Sequence, residues 1–141
     1  GSFDEGLEGC RVVIYRAVSP APQHVYANSI EAAQCCGNWY EGPSFQLYAD
    51  MHAGLVPFYR CEGAGGYQLL SLDAACEGLS NAGVLGYLAT VEGTAGAVHL
   101  FRLSHANGDH LYLTSEAERD QAVAMYGYVD EGTIGHVWSL E

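Results

Sequence analysis

The chain has 141 residues, 49% of them apolar, with 18 glycines and 10 tyrosines. That is about one domain's length, and its composition suits many short strands and tight turns rather than a long-helix bundle. Five Lys plus Arg, all of them arginine, stand against 17 Asp plus Glu for a formal net charge of −12. This excludes P-loop and Schiff-base chemistry, which need a lysine, and argues against nucleic acid and anionic membranes, which need clustered cations. No apolar run approaches the roughly 18 residues of a spanning helix, so no membrane insertion is expected, and no signal peptide remains.

Gly1-Ser2 reads as a cloning remnant at the head of a tail over residues 1–9. From Cys10 onward the chain reads as three units, over about 10–50, 51–92 and 93–141, and such self-similarity takes precedence over single elements. In the first unit a strand ends at Ile14-Tyr15-Arg16 and a second follows at His24-Val25-Tyr26. Ser29 caps a short helix, Gly37 stops it, and Glu41-Gly42 lies in a closing strand pair. In the second unit Phe58-Tyr59-Arg60 keeps the arginine, Gly66-Tyr67-Gln68-Leu69 takes the second-strand place, and Gly83–Leu88 closes. There Tyr67, Leu69 and Ala82 stand where the other units have His, Tyr and Glu. The third unit runs through Leu100-Phe101-Arg102 and then His110-Leu111-Tyr112-Leu113-Thr114, which alternates with period 2. The capping box Ser115-x-x-Glu118 opens its helix, which ends before Gly127, and Glu131-Gly132 and Gly135-His136-Val137-Trp138 close it.

The expected fold is mostly β with short helices. It is a single pseudo-threefold domain of three strand-strand-helix-strand repeats, three-bladed-propeller-like, with a β-trefoil as the alternative. Closing three units around an axis would cover sheet edges that otherwise aggregate.

Cys10, Cys35, Cys36, Cys61 and Cys76 fall in no C-x-x-C pair. Two disulfides and one free thiol is the simplest count for a secreted chain. Adjacent Cys35 and Cys36 are expected to bond to different partners, because a bridge between neighbours is strained.

The third unit, with Phe-Arg, Asp-His-x-Tyr-x-Thr, Glu-Arg, Gly-Tyr, Glu-Gly and Gly-x-Val in order, resembles a tandem repeat family of secreted fungal and bacterial proteins. That repeat has no assigned function, often accompanies cell-wall hydrolases and peptidases, and also occurs alone in mushroom proteins. The resemblance is close over 98–138, good over 12–48 and weak over 55–90. It implies an extracellular setting and a binding role, with carbohydrate as ligand. The chain departs from the family at Gln23, where Asp is usual, and at Phe45, where Gly is usual.

Arg102, His110, Tyr112 and Glu131 recur as Arg16, His24, Tyr26 and Glu41, and three of the four are lost together in the second unit. Joint loss points to mutual contact. Arg pairing with Glu and His donating to a turn carbonyl would satisfy a buried polar network; the same groups could instead line a pocket. Sugar binding needs aromatic faces and planar hydrogen-bonding grips. Trp39, Tyr40, Tyr126, Tyr128 and Trp138 are the candidate faces, with Trp138 placed in the core; Asn107, Asp109, His110, Asp130 and Glu131 are the candidate grips.

No metal or other cofactor is expected. His99, His105, Asp109 and His110 cluster in sequence without ligand spacing and read as loop histidines. Calcium on Asp109, Asp130 and Glu131 is the one cation considered, without an EF-hand loop. No nucleophile elbow or Cys-His signature is present, and Glu41 with Glu131 would be too far apart for a glycosidase pair. The expectation is therefore a secreted, non-catalytic, lectin-like protein, a monomer or small homo-oligomer, recognising cell-wall or glycoprotein glycans. The alternatives are a protein-directed effector or protease inhibitor and, behind them, a glycan or peptide hydrolase.

Overall fold

The computed structural model describes residues 10–140; the tail reading for residues 1–9 lies outside them. The fold is mostly β, with two α-helices and one antiparallel sheet system of nine strands. Strands β1 (Arg11–Val18), β2 (His24–Ala27) and β3 (Trp39–Tyr48) form the first group, with helix α1 (Ile30–Gln34) between β2 and β3. The second group holds β4 (Leu55–Glu62), β5 (Gln68–Ser71) and β6 (Ser80–Ala89). The third holds β7 (Ala97–Ser104), β8 (His110–Leu113), helix α2 (Glu116–Tyr126) and β9 (Val129–Trp138).

In each group the first strand lies in the middle and pairs antiparallel with the other two. Near their C-terminal ends β3, β6 and β9 each pair with both others, through Tyr48–Tyr87, Ala89–His136 and Gln46–Trp138. Register shifts recur at matching places, at Ile14/Tyr15, Phe58/Tyr59 and Leu100/Phe101, each followed by a second one or two residues on. A bulge re-aims side chains, and here it sits beside the arginine of each group.

Ile14, Phe58 and Leu100 fill the centre together with Tyr26, Leu70, Tyr112, Phe45, Leu47, Leu88 and Val137. Two glycines let the closing strands approach: a Cβ on Gly86 would lie 2.7 Å from Leu47 Cβ, and one on Gly135 2.8 Å from Leu88 Cδ1. Phe45 stands at the third equivalent position and joins the same cluster as Val137, which is shorter than the leucines at its equivalents.

The free edges of β2, β5 and β8 meet in a buried ring of hydrogen bonds. Tyr112 Oη accepts from Leu70 N (2.8 Å) and donates to Leu70 O (2.9 Å). Tyr26 Oη accepts from Tyr112 N (2.8 Å) and donates to Tyr112 O (3.3 Å). The second group has Leu70 at this place and no hydroxyl to offer; Gln68 completes the ring, with Oε1 accepting from Tyr26 N (2.7 Å) and Nε2 donating to Tyr26 O (3.2 Å). Each unpaired edge therefore finds a side-chain partner, as buried backbone must.

Five expectations about the elements need correction. The register puts Leu70 opposite Arg60 and Gln68 opposite Glu62, so Gln68 and Leu70, rather than Tyr67 and Leu69, occupy the His and Tyr places. The closing strand pair is one ten-residue bulged strand in each group. The second group has no α-helix: Asp73 accepts from Ala75 N and Glu77 N, Cys76, Glu77 and Gly78 turn left-handed, and the Cys76 disulfide to Cys61 holds the turn in place. Cys35 and Cys36 bond to each other rather than to separate partners, and Cys10 is free. Ser115 accepts from Glu118 N, Gly127 ends α2 at φ 78° and Ser29 opens α1, as the sequence predicts, but α1 ends at Gln34 with Cys35 already extended, so Gly37 is not its stop.

Candidate functional site

The repeated Arg, His and Glu side chains meet where neighbouring groups abut. Between the third and first groups, Arg16 Nε donates to Glu41 Oε1 (2.8 Å), and His24 Nε2 lies 3.5 Å from the same oxygen. His24 Nδ1 reaches across to Asp109 Oδ2 (2.5 Å), and His24 N donates to Asp109 Oδ1 (2.6 Å). Tyr128 Oη donates to Asp109 Oδ2 (2.6 Å). Asp109 is positioned by its own turn, its N–H donating to Asn107 Oδ1. Burial opposes its ionisation, but the hydrogen bonds from His24 and Tyr128 prevail and hold the carboxyl below its ordinary range. Burial and the neighbouring carboxylate push the Tyr128 phenol up. Burial lowers the Arg16 pKa, but Tyr26 and Glu41 outweigh it and leave the guanidinium above its usual value.

This junction opens into a cavity of about 530 Å³. Arg16, His24, Glu41 and Asn107 form one wall. Leu111, Leu113 and Ala122 give an apolar surface, and Tyr126, Tyr128, His105, Glu118 and Gln121 complete the lining. Helix α2 therefore supplies much of one side, and Tyr126 there is 59% exposed.

The junction between the second and third groups is built differently. Arg102 donates through Nε to Glu131 Oε1 (2.6 Å) and through Nη1 to Glu77 Oε2 (3.0 Å). Ser71 Oγ donates to the same Glu77 oxygen (2.6 Å). The bond from Arg102 holds the Glu77 carboxyl down. Burial resists ionisation of Glu131, which Ser104 and Arg102 overcome, so its pKa also lies below the ordinary range. Arg102 is raised by its two carboxylates against burial. Tyr67 Oη lies 3.2 Å from His110 Nδ1, and burial with the Arg102 charge lowers the His110 pKa. The cavity here is smaller, about 370 Å³. At the remaining junction Arg60 Nη2 donates to Ala82 O (3.5 Å), and Arg60 Nε, buried without a hydrogen-bond partner, lies 4.0 Å from Glu62 Oε2.

Of the residues singled out from sequence, Arg16, His24, Glu41, Asn107, Tyr126 and Tyr128 line the larger cavity, and Asp109, 3% exposed, braces it from behind. Tyr26 and Tyr112 belong instead to the buried ring, because their hydroxyls serve neighbouring backbone. Arg102 and Glu131 serve the second junction, as does His110 through Tyr67. Trp39 is 76% exposed and outside the cavity linings, and Trp138 is fully buried. Neither junction histidine uses a turn carbonyl: His24 and His110 face side chains. The loop-histidine reading fails for His99, on β7, and His110, on β8. Asp109, Asp130 and Glu131 are not gathered, since Asp130 caps Gly132 N and Glu131 holds Arg102. Among the described residues, no cluster of three His, Cys, Asp or Glu could hold a metal ion.

Sequence reasoning did not reach Glu77, Ser71 and Gln121. Glu77 carried no signal beyond an acid near a cysteine, since its arginine lies in another group.

A family model described as a domain of unknown function (DUF5648) matches residues 71–139, from the end of β5 through β9. No curated protein and no solved structure matches the chain.

Proposed function

We propose that this chain is a secreted, non-catalytic carbohydrate-binding protein, and that its three groups of strands make a three-bladed, propeller-like domain. The sugar sits in the cavity between the first and third blades. One observation carries the reading: Tyr126 and Tyr128 lie in the same cavity as Arg16, Glu41 and Asn107. An aromatic face takes the C–H side of a pyranose while fixed planar groups take its hydroxyls. A volume near 530 Å³ falls in the range of small-ligand sites. The Cys61–Cys76 disulfide supports an oxidising compartment.

A glycan array with the purified protein, with and without calcium, tests this. Hits sharing one terminal sugar, lost in Tyr126→Ala and retained in Trp39→Ala, are expected. A blank array on folded protein refutes it. A second reading rests on Met125, Tyr126 and Val129, each more than half exposed; it makes this rim a contact for a protein partner and predicts the blank array.

A further inference from the structure

The two arginine junctions are built to one plan but filled differently. In both, Nε of the arginine is held by the glutamate of its own closing strand, Glu41 for Arg16 and Glu131 for Arg102. In the second–third junction a further carboxylate comes from the neighbouring group. Glu77 Oε2 takes Arg102 Nη1 and, on the same oxygen, the Ser71 hydroxyl. Residues Cys76 and Glu77 hold left-handed backbone, at φ 57° and 52°, which L side chains adopt reluctantly. The chain is thus turned against its preference where it delivers a carboxylate to that guanidinium.

In the third–first junction the corresponding stretch of the neighbour is helix α2. Leu113 stands at the register position of Ser71, each opposite the residue before its arginine on the first strand. Among the described residues Arg16 has one carboxylate partner, where Arg102 has two. Glu118 lines the cavity but makes no ion pair with Arg16. The place that Glu77 fills at one junction is therefore open cavity at the other.

We propose that the larger cavity takes a ligand bearing a carboxylate, bound against the Nη side of Arg16, and that Glu77 is the built-in counterpart of that ligand at the smaller junction. Resting on the carbohydrate reading above, the ligand is an acidic sugar of the uronic-acid type. A guanidinium offers parallel N–H donors that match a carboxylate, so with Nε committed to Glu41 the Nη edge keeps that preference. The net charge of −12 opposes approach at long range, where salt screens it beyond roughly 8 Å; at contact range the lining acids Glu41 and Glu118 oppose the ligand, Glu41 least because Arg16 Nε already neutralises it. Tyr126 and Tyr128 would carry the pyranose ring.

The test is calorimetric titration of the whole protein with glucuronate and galacturonate, their neutral parents glucose and galactose, and a non-sugar carboxylate, hexanoate. Uronates should bind at least tenfold tighter than the neutral parents, at one per chain. Arg16→Lys keeps the charge but not the fork, and should erase that preference while its circular dichroism stays that of the parent and it remains folded at the titration temperature. Independently, Glu77→Ala should free the Arg102 Nη1 edge and raise the uronate stoichiometry from one to two; a stoichiometry that stays at one overturns the assignment of Glu77 as the ligand's counterpart. Equal binding of uronate and neutral sugar, or a preference unchanged in Arg16→Lys, overturns the carboxylate proposal and leaves the carbohydrate reading standing. Hexanoate binding as well as the uronates overturns the sugar reading and keeps the carboxylate assignment. No binding of any carboxylate overturns the proposal.

Discussion

Removing one phenolic oxygen tests how the three groups are held together. Tyr112→Phe deletes the hydroxyl that both accepts from Leu70 N and donates to Leu70 O, at a site where Tyr112 is 1% and Leu70 0% exposed. Each orphaned buried backbone group costs about 1–3 kcal/mol. The phenyl ring keeps its packing against Tyr26 and Phe58, so little is added for lost contact. The expected loss is about 3 kcal/mol in total, equivalent to roughly 10 °C in Tm for a domain of this size. Urea denaturation followed by the emission of buried Trp138 measures it. Tyr87→Phe is the control, since Tyr87 is only partly buried, beside Tyr48 and Trp138, and takes no part in the ring, and it should cost under about 0.5 kcal/mol. Gln68→Leu, which strips Tyr26 N and O of their partner, should match Tyr112→Phe. A loss under about 1 kcal/mol in both ring variants would refute the idea that the ring joins the groups.

The same structure makes three further predictions. Asp109→Asn should lower stability by about 2–4 kcal/mol at pH 7 by breaking the buried link to His24 and Tyr128. Because the folded Asp109 pKa is depressed, its contribution is present above the ordinary carboxylate value and fades as pH falls through the depressed one; melting curves from pH 7 down to 3 should show a flatter acid limb in the variant. Tyr26 and Tyr112 are raised by burial, so their contribution is intact below the ordinary tyrosine value, near 10, and is lost as pH rises through the raised folded values. Alkaline unfolding monitored by phenolate absorbance should therefore be cooperative, with these two phenols ionising only as the fold opens. Replacing Cys61 and Cys76 together by alanine, which opens a loop of 15 residues, should cost about 3 kcal/mol in chemical denaturation.

Much of the scaffold is local enough to be written along the chain. The arginines 44 and 42 residues apart, the alternation through His110–Thr114, and the Ser115 cap with Gly127 as stop are short-range patterns. Each acts through neighbours a few residues away, so composition and spacing suffice to read it. The joint loss of His, Tyr and Glu in the second unit likewise signals shared contacts, and Arg16 with Glu41 and Arg102 with Glu131 are indeed paired. What the pattern could not separate is that the tyrosines leave this set and point to the axis, because the hydroxyl's partner is backbone in another group.

The remaining decisions belong to tertiary structure, because they involve atoms brought together from distant parts of the chain. Gln68 stands in for a missing tyrosine only once the ring exists to be completed. A one-residue register difference moved Gln68 and Leu70 into the places that sequence comparison assigned to Tyr67 and Leu69, and in a strand such a step exchanges the two faces. The larger cavity beside Arg16 and the smaller one beside Arg102, into which Glu77 reaches, differ because α2 is a full helix and its counterpart is a disulfide-held turn. Whether an arginine faces a cavity or a second glutamate is thus set by the neighbouring group, which its own sequence context does not contain.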